Sequence, residues 1–237
     1  MKIFIDAGHN DKGFDTGAES FGLKEQDLTF EISKLLAEKL LKAGITVKLS
    51  REKKEDVLGT DLNSSLFKRC QMANDFGADL FLSIHTNAYR NEDANGTECY
   101  VYNKISDTFN LADEISNSLS QKLGLLNRGV KEGKFAVLKN TNMPAILIET
   151  AFITNKSDSE KLKTKKKEFA KAISDSIISY FEIREEKISS PLLLVNKLTE
   201  KIKINDILGA VNALSAAKKQ ESPLYWIIYK IVNREDA

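Results

Sequence analysis

The sequence is poor in the residues that most often mark chemistry. Its 237 residues include only two histidines, two cysteines and one tryptophan. The formal net charge is +1, because 35 lysines and arginines nearly balance 34 aspartates and glutamates. That balance offers no bulk attraction to a polyanion, so nucleic acid is not an expected partner. The lysine-rich stretch at 161–167 reads as the solvated face of a helix. Cys70 and Cys99 have no metal-ligand spacing and cannot staple a chain of this size, so they read as buried free thiols. No apolar run is long enough to span a bilayer, and Ile3-Phe4-Ile5 is too short for the core of a secretory signal. The expectation is therefore a chain made in the cytoplasm, with no signal peptide and no transmembrane segment. No internal repeat or low-complexity tract occurs. The turn holding Gly8 lacks a Gly-x-Gly-x-x-Gly series or a Walker-type lysine, which argues against a nucleotide-binding protein.

What is present is an ordinary globular composition, 42% apolar and 29% charged, in a chain long enough for one large domain and a small one. Up to about residue 180, strand and helix patterns alternate. Residues 2–7, 45–50, 80–84, 98–102 and 145–148 are short, largely apolar runs, read as strands. Helical spacing appears at 27–41, 64–76 and 165–181, and at 107–123 with Asp107 as its cap. Strands that are apolar throughout and separated by helices predict an α/β domain. Its mostly parallel central sheet would be covered by helices on both faces. We place this domain at 1–182, a charged linker at 183–191, and a small helical domain at 192–237. In that last segment Ser222 and Pro223 open a helix that is apolar nearly all round, which wants burial. The pattern itself fits packing within a small bundle or forming a homodimer.

The two histidines both follow apolar strands. His9 closes Asp6-Ala7-Gly8-His9, and His85 closes Leu80-Phe81-Leu82-Ser83-Ile84-His85. The carboxyl ends of strands are where open α/β sheets build their sites, although a lone histidine is more often a satisfied structural group. Glu25 opens a helix, and its bland reading is a carboxylate favoured at a helix N-terminus. Glu149 follows Ala145-Ile146-Leu147-Ile148, where a carboxylate is costly unless paired, metal-associated or facing a cleft. Zinc hydrolases commonly combine two histidines and a carboxylate as ligands with a further carboxylate that handles protons. These four residues would supply that set, although spacing alone does not show that they converge. Arg51 and Asn87 fit substrate binding and structural hydrogen bonding equally, and stay outside the catalytic set.

A series of longer motifs carries a resemblance. They are Ile5-Asp6-Ala7-Gly8-His9, Asp15-Thr16-Gly17-Ala18, Gly22-Leu23-Lys24-Glu25 and Leu49-Ser50-Arg51. Ala78 through Ala88, Arg128-Gly129-Val130-Lys131 and Pro144 through Asn155 follow in order. In that order they resemble the zinc-dependent N-acetylmuramoyl-L-alanine amidases of bacterial autolysins and phage endolysins, across residues 1 to about 181. The resemblance implies hydrolysis of the amide between N-acetylmuramic acid and L-alanine in peptidoglycan. It implies one Zn2+ held by His9, Glu25 and His85, with Glu149 as catalytic acid/base. It also suggests binding to the cell wall as a role for the helical segment at 192–237, with action on the wall following release through a holin or lysis of the mother cell. Ala151 stands where the family usually has glycine, and Asn10-Asp11-Lys12 replaces a common glycine pair. Both departures bear on substrate fit more than on the ligands. The rivals are another zinc amide hydrolase or peptidase, and an inactive wall-binding module of the same fold.

Overall fold

The computed structural model describes residues 1–104 and 108–188. Within them, Met1–Ile178 form one compact unit. The elements are β1 (Lys2–Ala7), β2 (Glu19–Ser20), β3 (Leu23–Lys24), α1 (Glu25–Lys42), β4 (Thr46–Leu49), α2 (Leu62–Phe76) and β5 (Leu80–Asn87). They continue with β6 (Thr97–Val101), α3 (Phe109–Leu123), β7 (Asn127–Glu132), α4 (Ala136–Lys139), β8 (Ala145–Phe152), α5 (Lys156–Thr164) and α6 (Lys166–Ile188). Six strands make one sheet in the order β4-β1-β5-β8-β6-β7. Within that sheet only the β6–β8 pair is antiparallel. The expected α/β architecture with a mostly parallel sheet is what forms.

Alternation along the strands divides the core into two layers. Phe4, Phe81, Ala145 and Leu147 bury one face of the sheet against Cys70 and Ala73 of α2 and Val137 and Leu138 of α4. Ile3, Ile5, Leu82, Ile84, Ile146 and Ile148, all buried, point to the other face, and α1 and α3 lie along these strands. On the first face the side chains turn polar toward the carboxyl ends of β1, β5 and β8. Asp6 and Ser83 are neighbours there, and His85 and Glu149 form the next row. Strand β1 connects forward to β4 on one side, while β5 lies on its other side. The ends of β1 and β5 therefore flank a topological switch point, where sheets of this kind leave a crevice.

Local chemistry moves several boundaries from the sequence reading. Helix α2 starts at Leu62, before the expected 64, because Asp61 accepts from the Ser64 amide at 2.9 Å and Ser64 Oγ accepts from the Asp61 amide at 2.9 Å. This reciprocal cap satisfies two amides that the first turn leaves open. Gly77, at φ 63°, ends the helix in a left-handed conformation that glycine adopts freely. The hairpin β2–β3, edge strand β7 and short helix α4 were not anticipated. Each is too short or too polar to show a period. The expected linker begins inside α6, which is helical to Ile188. Asp107 and residues 192–237 lie outside the described residues, and so do the wall-binding and homodimer roles assigned to that segment. Both cysteines are buried and free, and burial pushes the Cys70 thiol up to about 11. Among the described residues no helix is long and apolar enough to cross a membrane.

Candidate metal centre

The four singled-out residues meet at the end of the sheet. His9 follows β1 by two residues, His85 lies in β5, and Glu149 lies opposite His85 in β8. Glu25 arrives from outside the sheet. The β2–β3 hairpin turns through Phe21 and Gly22, at φ 49° and 71°, and returns the chain so that the Glu25 amide donates to the Ala18 carbonyl at 2.9 Å. The first residue of α1 is thereby aimed at the crevice.

Glu25 Oε1 lies 3.3 Å from His9 Nε2 and 3.3 Å from His85 Nδ1. A tetrahedral ion bound at about 2.0–2.1 Å has ligand atoms about 3.3 Å apart, so both edges that Glu25 makes match zinc. One ligand atom from each of the three residues lies within 4.8 Å of the others. Two glycines permit this approach. A Cβ on Gly8 would lie 2.5 Å from His85 Cε1, and one on Gly17 would lie 2.6 Å from Glu25 Cβ. Alanine at either position would displace a ligand. His9 sits at φ 66°, a left-handed conformation unusual for a side-chain-bearing residue, and strain of this kind gathers at functional sites.

Charge in the cluster also favours a cation. Burial opposes a proton on His9, but the Asp15 and Glu25 carboxylates outweigh it and hold the imidazole at about 9. Burial pushes Glu25 up, yet the two histidines hold it far below the usual carboxylate range. A carboxylate held ionised between two imidazoles, one of which is stabilised in its charged form, favours positive charge at this point. Glu149 behaves oppositely. Burial, then the charges of Glu25 and Glu98, push its carboxyl well above the usual range. Its Oε2 is shielded from solvent and has no hydrogen-bond partner, a costly state for a group without a task. Hydroxyls of neighbouring strands fix the backbone of this row. Thr150 Oγ1 donates to the His85 carbonyl at 2.8 Å, and Thr97 Oγ1 donates to the Glu149 carbonyl at 3.0 Å.

Behind the ligands lies a buried ionic network that sequence reasoning missed. Asp15 Oδ1 stands 3.3 Å from His9 Nδ1, an ion-pair distance without hydrogen-bond alignment, on the side of the ring where a carboxylate supports a metal-binding imidazole. Arg69, 1% exposed, donates to Asp6 at 2.7 Å, the Ala7 carbonyl at 2.8 Å, Asn10 at 3.1 Å and Asp15 at 3.3 Å. Ser65 donates to Asp15 at 2.6 Å and Ser83 to Asp6 at 2.8 Å. Burial pushes Asp6 up, but Arg69 outweighs it, and the carboxyl stays below its ordinary value. Its ionised form thus favours folding at neutral pH, and that contribution fades as the pH drops below about 4. Removing Arg69 leaves two buried carboxylates uncompensated. Arg69→Met is expected to cost about 3–5 kcal/mol of unfolding free energy in urea titration. A loss under about 1 kcal/mol would show that the Ser65 and Ser83 hydroxyls suffice.

Arg51 and Asn87 both make hydrogen bonds within the protein. Fully buried Arg51 donates to the carbonyls of Gln26, at 2.7 Å, and Gly8, at 3.3 Å, tying α1 to the His9 turn. Asn87 donates to Glu98 at 2.9 Å.

Comparison with known proteins agrees with this geometry. The sequence profile of the N-acetylmuramoyl-L-alanine amidases matches residues 3–179. The amidase LytC of Bacillus subtilis is 41% identical over 183 residues, which are 76% of this chain but 35% of LytC. A sporulation-specific amidase of the same organism is 35% identical over 218 residues, 90% of this chain and 80% of that one. That likeness extends past residue 181, where the sequence motifs end. An amidase structure from Clostridium difficile 630 superposes with a TM-score of 0.68 at 36% identity, covering 76% of this chain and 96% of that one. The matched span, 3–179, contains all but the first residue of the six-stranded sheet together with His9, Glu25, His85 and Glu149, and the chain belongs to the N-acetylmuramoyl-L-alanine amidase family.

Proposed function

We propose that this chain hydrolyses the amide between N-acetylmuramic acid and L-alanine in peptidoglycan, with one Zn2+ held by His9, Glu25 and His85 and with Glu149 as acid/base. The observation that carries this is the tetrahedral-edge spacing of His9, Glu25 and His85 beside the unpartnered Oε2 of Glu149. Zinc bound there supplies Lewis-acid polarisation of the scissile carbonyl and of a water molecule. The remaining work falls to the protein. Glu25, through the amides of Ala18 at 3.0 Å and Thr86 at 2.9 Å, is held as a fixed carboxylate. Asp15 keeps the His9 ring in place, so Nε2 faces the site. Glu149 takes the proton that the attacking water loses and returns it to the alanine nitrogen, which otherwise leaves as a poor amide anion.

Digestion of peptidoglycan followed by mass spectrometry tests the reading. Intact glycan strands with free muramic acid carboxyls, and stem peptides with a free L-alanine amino terminus, are expected. They should vanish after chelation and return with added zinc. Cleavage between two amino acids would make the protein a peptidase instead, and no cleavage with zinc bound would leave a wall-binding module.

A further inference from the structure

Beside Glu149 lies a second charged assembly that the hydrolytic reading does not use. Glu98 of β6 pairs directly with Glu149 of β8, so the two side chains share one face of the sheet. Glu98 is 2% exposed and its carboxylate accepts from four groups. Asn87, at 2.9 Å, and the Tyr100 hydroxyl, at 2.7 Å, donate to Oε1. Arg128 Nε, at 2.6 Å, and Lys131 Nζ, at 2.5 Å, donate to Oε2.

Arg128 and Lys131 are three residues apart, and a regular strand would send them to opposite faces. A bulge prevents this. Thr97 pairs with Asn127 but Cys99 pairs with Val130, so β7 carries one extra residue at Gly129, whose φ is 75°. Both cations therefore gather on Glu98. Glu98 meets two cations where one would neutralise it, and Arg128 and Lys131 remain 32% and 38% exposed, so both keep charged atoms open to a ligand. Arg128 also lies over the Phe152 ring at 5.0 Å and Lys131 over the Tyr100 ring at 5.9 Å, contacts that fix the two side chains beside Glu98.

Reach identifies the ligand. Glu98 stands one strand, about 5 Å, from Glu149, and two residues of extended peptide span about 7 Å. In the stem peptide the residue after L-alanine is a glutamate linked onward through its side chain. Its α-carboxylate is free in some walls and amidated in others. We infer that Arg128 and Lys131, held together by Glu98, form a subsite for this free α-carboxylate, an inference that rests on the amidase reading. Glu98 is a positioning residue here, and the two cations bind substrate.

The test compares two muramoyl tripeptides that end in lysinamide and differ only in that α-carboxylate or its carboxamide. Zinc-loaded wild-type protein should favour the carboxylate by about ten- to hundredfold in kcat/KM, the worth of a charge-assisted contact. The double variant Arg128→Gln, Lys131→Met should bring that ratio close to one, through loss of rate on the carboxylate substrate. Lys122→Met, at an exposed lysine paired with Asp175, should leave the ratio unchanged. Equal rates of wild-type protein on both substrates would overturn the subsite and leave the amidase intact. A preference that survives in the double variant would also overturn it. Cleavage of neither substrate would overturn the amidase reading, and the subsite with it.

Discussion

Protein carrying His85→Ala is expected to lose zinc and activity together while keeping its fold. Three protein ligands are the minimum for such a centre, and a histidine–carboxylate pair alone holds an ion weakly. The companion variant at the other histidine is better made as His9→Asn. At φ 66° alanine would add backbone strain to the loss of a ligand, whereas asparagine tolerates the left-handed conformation. Each variant should fall from one zinc per chain to near none after dialysis, by elemental analysis, with hydrolysis of peptidoglycan abolished. Circular dichroism should be unchanged, since His9 and His85 are 22% and 18% exposed and remain outside the apolar layers. Stoichiometric zinc retained by the double variant would place the metal elsewhere.

How much of this was legible in the sequence depends on how local each signal is. The strands that carry His85 and Glu149 could be read because burial on both faces makes them apolar throughout, and a polar residue in such a run stands out. His9 was visible for the same reason. Glu25 was not, beyond the resemblance, because a carboxylate at a helix start is ordinary. Its role depends on a hairpin of two-residue strands, too short for any periodicity to show. The Asp6–Arg69–Asp15 network joins residues up to 63 positions apart, and nothing local marks an arginine in α2 as buried. Glu98 was read only as the start of a strand, although a carboxylate before Cys99 and Val101 carried the same signal as Glu149. Strand β7 was missed because an edge strand is half exposed. Asn127-Arg128-Gly129-Val130-Lys131 therefore has no apolar alternation, and the bulge removes what remains.

Glu149→Gln is expected to keep the metal and the fold and lose about 10²–10⁴-fold in kcat, the usual worth of a positioned acid/base. The amide matches the carboxylate in shape, and Glu149 is not among the three residues whose ligand atoms converge, so zinc content should stay at one per chain. What disappears is the ability to take a proton from water and return it to the leaving amine. A second measurement separates this loss from damage to the fold. Burial, together with the charges of Glu25 and Glu98, raises the Glu149 carboxyl in the folded chain. A carboxyl with a higher pKa folded than unfolded binds protons more readily in the folded state, so at neutral pH its ionised form opposes folding. Glutamine carries no such cost. The zinc-free variant should therefore unfold at a urea concentration equal to or above that of the zinc-free parent, even as turnover collapses. Turnover close to the parent's, with zinc bound, would show that another group moves the proton. A lower unfolding midpoint would show that the carboxylate has a partner in the folded protein and that its isolation beside the metal centre is not what sets its chemistry.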